Sequence, residues 1–481
     1  MSVIENLEPK LVWKHFDEIR KIPRCSKHEE KIIDHTVNFA KKHDFDYKKD
    51  KLGNIVIKKP ASKAMESKPT VVLQGHMDMV CEKNSDVKHD FSKDPIKLKL
   101  IGDILTADGT TLGADNGIGL AISFAILEDT SLKHGPIEAL FTVDEETGLT
   151  GAFAMESDML TGKILLNLDS EEFGEITVGC AGGGDSQVKL PIKTQQINQD
   201  IDSLTIKVYG LRGGHSGVDI QEQRGNAVKI LTRMLWKAKE FDFKISDIKG
   251  GDKHNAIPRE AKALIAINKS DKNKFISTLK SEEKNILEEI KTIDPNFKVD
   301  IIDNDEIKTT LTSDSQIHLL NLLHGLPHGI DKMSYEIPDL VETSTNLASV
   351  SINESNAAIH LSTRSSIKSA LQDFRDRIRA TAELSGATVK EDEPYPGWKP
   401  NLDSNILKLS KKVFKDMYNN EPKVKAIHAG LECGIIGEKF PGMDMISIGP
   451  TIKYPHSPEE QVHVRTVDKS YKYVLKILEN V

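Results

Sequence analysis

Cysteine is scarce in this chain: four residues among 481, at positions 25, 81, 180 and 433, with no Cys-x-x-Cys pair. That spacing offers no disulfide framework and no structural zinc knot, so all four are expected as reduced thiols. Long apolar runs are missing too. The longest mild stretch, the uncharged Gly117 to Leu127, falls far short of the roughly 20 residues that a membrane span needs. No basic segment leading into an apolar core opens the chain at Met1-Ser2-Val3-Ile4-Glu5-Asn6, so no secretory signal is visible and a cytoplasmic location is expected. Nor is there a surplus of positive charge. A net charge of −8 and a pI near 6.1 argue against a nucleic-acid partner, which calls for a basic face.

What is present fits an ordinary globular protein, with 38% hydrophobic and 29% charged residues. At 481 residues the chain exceeds what one core usually holds, which predicts two or more domains. Over roughly the first 185 residues, strand-like and helix-like segments alternate. Helical spacing runs from Asn6 to Ile22, from His28 to Lys42 and from Gly117 to Glu128. Strands are expected at Asn54 to Lys58, Thr70 to Gln74, Ile137 to Val143 and Lys163 to Leu168. Near-continuous apolar strands alternating with helices predict an α/β fold built on a helix-covered sheet.

The pattern changes after Gly182-Gly183-Gly184. Two successive α/β units follow, to about Glu393. The first holds strands at Leu204 to Tyr209 and Ala261 to Ala266, with helices at Asn226 to Phe241 and Asp271 to Ile293. The second holds a helix at Asp314 to Leu323, strands at Thr345 to Val350 and Ala357 to Ser362, and a helix at Ala370 to Leu384. The opening style then returns, with helices at Asn405 to Tyr418 and Asp468 to Leu478 around strands at Lys423 to Ile427 and Met443 to Ile448. One domain made from both ends of the chain, 1–185 and 394–481, with a second domain of 186–393 inserted, is the simplest organisation.

Metal-competent side chains gather where strands end or helices begin. His76-Met77-Asp78 follows the Val71 strand, and alternation along an extended segment turns His76 and Asp78 the same way. A carboxylate so placed can steady an imidazole. Asp115 lies in the glycine-rich run Gly109 to Gly119 just before a helix, where it could equally cap that helix. Glu145 and Glu146 follow the Ile137 strand; as neighbours at a strand end they are expected to point in opposed directions and divide two tasks. Asp169 leaves the Lys163 strand in the same fashion. Ligands at the carboxyl ends of strands in an open α/β sheet converge on one crevice. A second histidine would complete a donor set for paired Zn2+, Mn2+ or Co2+. His456, set between Pro455 and Pro458, is the candidate, with His463 and His428 as competitors.

The order His76-Met-Asp, Gly-Ala-Asp115-Asn-Gly, Glu145-Glu146-Thr-Gly, Asp169-Ser-Glu-Glu and a late histidine resembles the M20 metallopeptidase family. The likeness continues through Cys180-Ala-Gly-Gly, Gly210-Leu-Arg-Gly-Gly-His215-Ser-Gly, Asn255-Ala-Ile-Pro258, His428-Ala-Gly-Leu-Glu432-Cys-Gly and Gly449-Pro450. Over nearly the whole chain it is similar to the Xaa-His dipeptidase (aminoacyl-histidine dipeptidase) branch.

That resemblance implies two Zn2+ per chain, with Mn2+ or Co2+ as substitutes. Asp115 would bridge them, with His76 and Asp169 on one ion and Glu146 and His456 on the other. It implies Asp78 behind His76, Glu145 as general base, and His215, Asn255 and Arg364 as substrate contacts. The inserted segment becomes a lid through which two copies can pair, and the substrate a small peptide such as carnosine. Tripeptide aminopeptidases, carboxypeptidases and N-acyl amino acid deacylases share the same centre. A non-catalytic metal- or peptide-binding protein is the remoter alternative, free to lose ligands that here are all present.

Overall fold

Strands that are buried at every position need cover on both faces, and Val71–His76 and Ile137–Thr142 are buried along their whole length. They lie at the centre of an eight-stranded mixed sheet in the computed structural model, which describes residues 3–197, 201–304 and 307–481. Four adjacent strands run parallel: Ile137–Thr142, Val71–His76, Ile164–Asn167 and Asp444–Ser447. Ile55–Lys59 and Asp46–Lys49 extend one side in antiparallel fashion, and Glu175–Cys180 joins the other.

Against this sheet packs the helix Ala114–Glu128, buried from Ala114 through Leu127. A helix apolar on every side belongs inside a core. Its Phe124 stacks on Phe141 of the neighbouring strand at 5.0 Å and meets Phe39 at 4.7 Å. The amphipathic helices Lys10–Ile19, Asn405–Tyr418 and Val464–Asn480 turn one face inward. The first is shorter than its apolar spacing suggests, because Pro9 stands at its N-cap and fixes where it starts.

The chain divides into two compact units: Met1–Cys180 with Trp398–Ala426 and Leu431–Val481, and Ala181–Gly397 with Ile427–Gly430. In the second unit the two α/β repeats share one antiparallel sheet. Its strand order is Lys298–Asp303, Ile201–Tyr209, Ala261–Asn268, Phe243–Gly250, Val341–Ile352, Asn356–Ser365, Gly182–Pro191 and Thr388–Glu391, with Gly329–Met333 added on Val341–Ile352. One continuous core, from Val188 and Leu204 through Phe275 to Ile378, joins both repeats.

One sequence expectation is corrected. Cys25 and Cys81 form a disulfide, their Cα atoms 5.7 Å apart and 56 residues apart in the chain, while Cys180 and Cys433 are free and buried. The pairing is invisible in the spacing because tertiary structure makes it: Cys25 bridges to Met79 beside the Val71–His76 strand.

Removing the aromatic ring at the centre of the first core should be costly. Phe124→Ala is expected to lower stability by about 3–5 kcal/mol, seen as an earlier urea transition by circular dichroism; an unshifted midpoint would show that the cluster collapses without loss.

Candidate active site

The four parallel strands end on the same edge of the sheet, and each feeds a functional side chain to it. His76 is the last residue of its strand, and Asp169 stands two residues beyond Ile164–Asn167. Glu145 and Glu146 follow Ile137–Thr142, while His456 lies on the loop after Asp444–Ser447. Asp115 comes from elsewhere. It is the second residue of the Ala114–Glu128 helix, yet its φ of −78° and ψ of 116° are extended, so its side chain leaves the helix instead of capping it.

Asp115 splits its two oxygens between two imidazoles. Oδ1 lies 3.1 Å from His76 Nε2, and Oδ2 lies 3.1 Å from His456 Nε2. Asp169 Oδ1 approaches His76 Nε2 at 3.3 Å, and Glu146 Oε2 approaches His456 Nε2 at 3.0 Å. Two donor triads therefore share Asp115: His76, Asp115 and Asp169, and Asp115, Glu146 and His456. A third grouping joins His76 to Glu145 and Glu146. Neither competing histidine joins the cluster. His428 is buried in the second unit with Nε2 2.7 Å from Ser344 Oγ, and His463 ends the short strand Gln461–His463.

Asp78 organises three of these residues at once. Its Oδ1 lies 3.3 Å from His76 Nδ1, and its two oxygens accept the backbone N–H groups of Glu145 and Glu146 at 3.0 and 3.2 Å. Those N–H groups are free because Glu145–Gly148 is a helical turn and not the strand end that the sequence suggests. Asp144, at φ 49°, bends the chain into that turn, whose unsatisfied N–H groups favour a carboxylate. The two glutamates are thus presented by a helix start and not by strand alternation.

Two further buried groups hold the site, and sequence reasoning missed both. Glu460 accepts N–H bonds from Leu112, Gly113, Ala114 and Asp115 at 2.7–3.2 Å, clamping the segment that carries Asp115. Arg24 donates to the carbonyls of Met77, Asp78 and Gly113, tying the His76 segment to the Asp115 segment. Neither residue lies in a quotable motif; only their partners reveal them. Gly75 supplies the remaining closeness, since a Cβ there would strike the side-chain oxygen of Asn116. Glu432, noted in the sequence without a role, is also buried. It accepts from Gln74 Nε2 at 2.6 Å and Thr142 Oγ1 at 2.7 Å, beneath the ends of two site-bearing strands.

Crowded carboxylates govern the electrostatics. Hydrogen bonds to Asp115 and Glu146 push the His456 imidazole up to about 11. Burial opposes charge on His76, yet Asp169, Asp115 and Asp78 together hold its pKa well above the ordinary value. Asp115 is buried too, but hydrogen bonds from His456 and His76 hold it below the carboxylate range. Burial raises Asp169 to about 6 and Glu432 to about 7. Glu145 is lifted chiefly by burial, with Asp169, Glu432 and Glu146 adding to the effect. The cluster as a whole demands positive charge.

In the second unit, a short antiparallel ladder between distant segments, pairing Gly214 with Ile257 and His215 with Ala256, sets Asn255 near His215. His215 Nδ1 faces the backbone N–H groups of Gly217 and Val218 at 3.2 Å, leaving the hydrogen on Nε2. Burial, reinforced by Arg364, lowers its pKa to about 4, which keeps it neutral. Arg364 is 7% exposed and donates to Tyr395 Oη at 2.6 Å. It pairs across the sheet with Ser344, the partner of His428. His215, Arg364 and His428 thus form one neighbourhood, of which the sequence reading had named only the first two as substrate contacts. Asn255 is exposed.

The Glu460 clamp is testable by itself. Glu460→Gln leaves one oxygen to serve four N–H donors, and hydrogen bonds to a charged group contribute about 1.5–3 kcal/mol each. Amide exchange at 112–115 should accelerate and the melting temperature fall; unchanged exchange would remove the clamp from the site.

Comparison with known proteins gives the family. Residues 72–480 match the model of peptidase family M20/M25/M40. The cytosol non-specific dipeptidase of Escherichia coli (strain K12) is 40% identical over 485 aligned positions, covering 100% of this chain and 99% of that protein. The crystal structure of an aminoacylhistidine dipeptidase from Vibrio alginolyticus superimposes with a TM-score of 0.93 at 40% identity, over 100% of this chain and 98% of that one. The aminopeptidase PepT of Bacillus cereus ATCC 10987 shares the fold, with a TM-score of 0.56 at 18% identity over 98% of each chain. With a family match across most of its length and a relative alike from end to end, this chain belongs to peptidase family M20/M25/M40.

Proposed function

We propose that this chain is a cytoplasmic dipeptidase that works with two divalent cations and takes Xaa-His dipeptides, carnosine among them. One observation carries the reading: a single buried carboxylate, Asp115, gives one oxygen to each of two donor triads. The residues fit cations on chemical grounds. Glu146 Oε1 is buried without a hydrogen-bond partner, the donors are imidazole nitrogen and carboxylate oxygen only, and the imidazoles are driven towards protonation to supply positive charge. Such a set suits Zn2+, with Mn2+ or Co2+ as substitutes. His76 and Asp169 would hold one ion, Glu146 and His456 the other, and Asp115 both.

When bound, the ions supply Lewis acidity, polarising the peptide carbonyl and lowering the pKa of water towards ~7. Glu145, whose backbone is fixed by Asp78, accepts the proton of the attacking water and returns it to the departing amine. Asp78 keeps His76 oriented through Nδ1. His215, neutral with its hydrogen on Nε2, serves as a donor to the developing oxyanion. Arg364 receives the substrate's C-terminal carboxylate, and Asn255 contacts the substrate beside His215. The inserted segment acts as the lid and as the surface through which two copies pair, following the family pattern.

Support for a dipeptide substrate comes from the names of the Escherichia coli and Vibrio alginolyticus relatives, one called non-specific and the other aminoacylhistidine. The word cytosol in the first supports the cytoplasmic location. The broader specificity in that name is the second reading. A panel of carnosine, other Xaa-His dipeptides, unrelated dipeptides, tripeptides and acetylated amino acids separates them. Xaa-His dipeptides should give the highest kcat/KM; equal rates on all dipeptides would favour the broad reading, and preference for acetylated amino acids would end the dipeptidase proposal.

Two substitutions test the roles. Glu145→Ala should lower kcat by about 10²–10⁴-fold with zinc content by elemental analysis unchanged; near-normal turnover would strip Glu145 of its role. His456→Ala should lower the zinc content of the purified protein, and an unaltered content would exclude His456 as a ligand.

A further inference from the structure

Three lysines stand side by side across the second unit's sheet. Lys262 on the strand Ala261–Asn268 pairs directly with Lys207 of Ile201–Tyr209 on one side and with Lys249 of Phe243–Gly250 on the other. Residues opposite one another in a sheet face the same way, and like charges so placed are destabilising. The next row, Ile206, Ala263 and Ile248, is buried in the core, so the lysine row occupies the other face.

That row floors an open cavity of about 680 Å3, which Arg212, Lys253 and Arg259 also line. Its only acids are Asp252 and Glu260, so six cations outnumber two carboxylates in a protein whose net charge is −8. Glu260 pairs with Lys207 at 3.2 Å. Among the described residues, Arg212, Lys249, Lys253, Arg259 and Lys262 have no carboxylate within ion-pair distance. Gly213, Gly214, Gly250 and Gly251 also line it, with Ala256, Ile257, Pro258 and Ala261.

We propose that this cavity binds a small, multiply phosphorylated anion. Its volume falls in the range of small-molecule pockets, roughly 300–1,000 Å3. The surplus of four positive charges calls for a compact ligand of matching charge. Phosphate monoesters, at about −1.5 to −2 each near pH 7, deliver that with two groups. The two arginines offer planar forks suited to phosphate oxygens, and the lysines offer point charges. Neutralising the row also relieves the repulsion on Lys262, so binding and stability are linked. The lysine row includes no residue assigned to hydrolysis, although Gly214 and Ala256 of the wall adjoin His215 and Asn255, and the proposal does not depend on that assignment.

Calorimetric titration of the zinc-loaded, full-length protein tests the proposal, with fructose 1,6-bisphosphate as probe and fructose as its uncharged counterpart. The bisphosphate should bind saturably at one site per chain and fructose not at all. Lys262→Gln should weaken binding at least tenfold, and Lys249→Gln likewise, with hydrolysis of dipeptides unchanged in both. Without the probe, Lys262→Gln should melt no lower than the parent, since it removes a repulsion. No saturable binding, equal affinity in both variants, or equal binding of fructose would overturn the proposal. So would Lys262-dependent binding that appears only with poly-glutamate or duplex DNA, which would assign the face to a macromolecule.

Discussion

Asp115 is the constraint on which the remainder of the site rests. A carboxylate that serves two imidazoles on opposite sides has to be held at one distance from both, and no single element of the fold can do that. The helix that carries it is buried all round and gives a rigid base, yet Asp115 leaves the helical path to reach the cluster. Glu460 fixes the backbone on one side of it, and Arg24 ties that backbone to the His76 segment. Close packing of Gly75 against Asn116 then brings the two segments within reach.

This arrangement concentrates charge where burial penalises it. Carboxylates taken out of water are costly unless paired and hydrogen-bonded. Asp78, Glu460 and Glu432 are all nearly inaccessible, and each accepts at least two hydrogen bonds from the protein. Asp78 and Glu460 are satisfied on both oxygens by the chain's own donors, whereas Glu432 keeps Oε1 without a partner and burial raises it to about 7. Glu146 and Asp169 are different: Glu146 keeps a buried oxygen without a donor, and burial lifts Asp169. Asp78 and Glu460, satisfied on both oxygens, shape the site; Glu146 and Asp169, which keep an unpartnered oxygen and also approach the site's imidazoles, are those to which the proposed chemistry falls.

The second unit shows the same economy of means in a different setting. Its two repeats share one sheet and one core, so residues far apart in sequence acquire fixed neighbours. His215, Arg364 and His428 meet because separate strands and a short two-stranded ladder converge, and the lysine row exists because three strands happen to be in register.

The sequence by itself determined the strand-end positions of His76 and Asp169, since apolar runs and the polar residues that close them are local signals. It likewise marked Glu145, Glu146 and Asp115 as chemistry-bearing, although it misjudged the local backbone of the two glutamates, because the turn that presents them is stabilised by Asp78 from a different strand. Between His456, His463 and His428 the residues alone left the choice open; only the approach of His456 to Asp115 and Glu146 and the burial of His428 beside Ser344 separate them. The Cys25–Cys81 bridge, the Glu460 and Arg24 clamps and the lysine row lay beyond reach for one physical reason. Each is a contact between segments whose alignment is set by the packing of the two cores, and no spacing along the chain encodes that alignment.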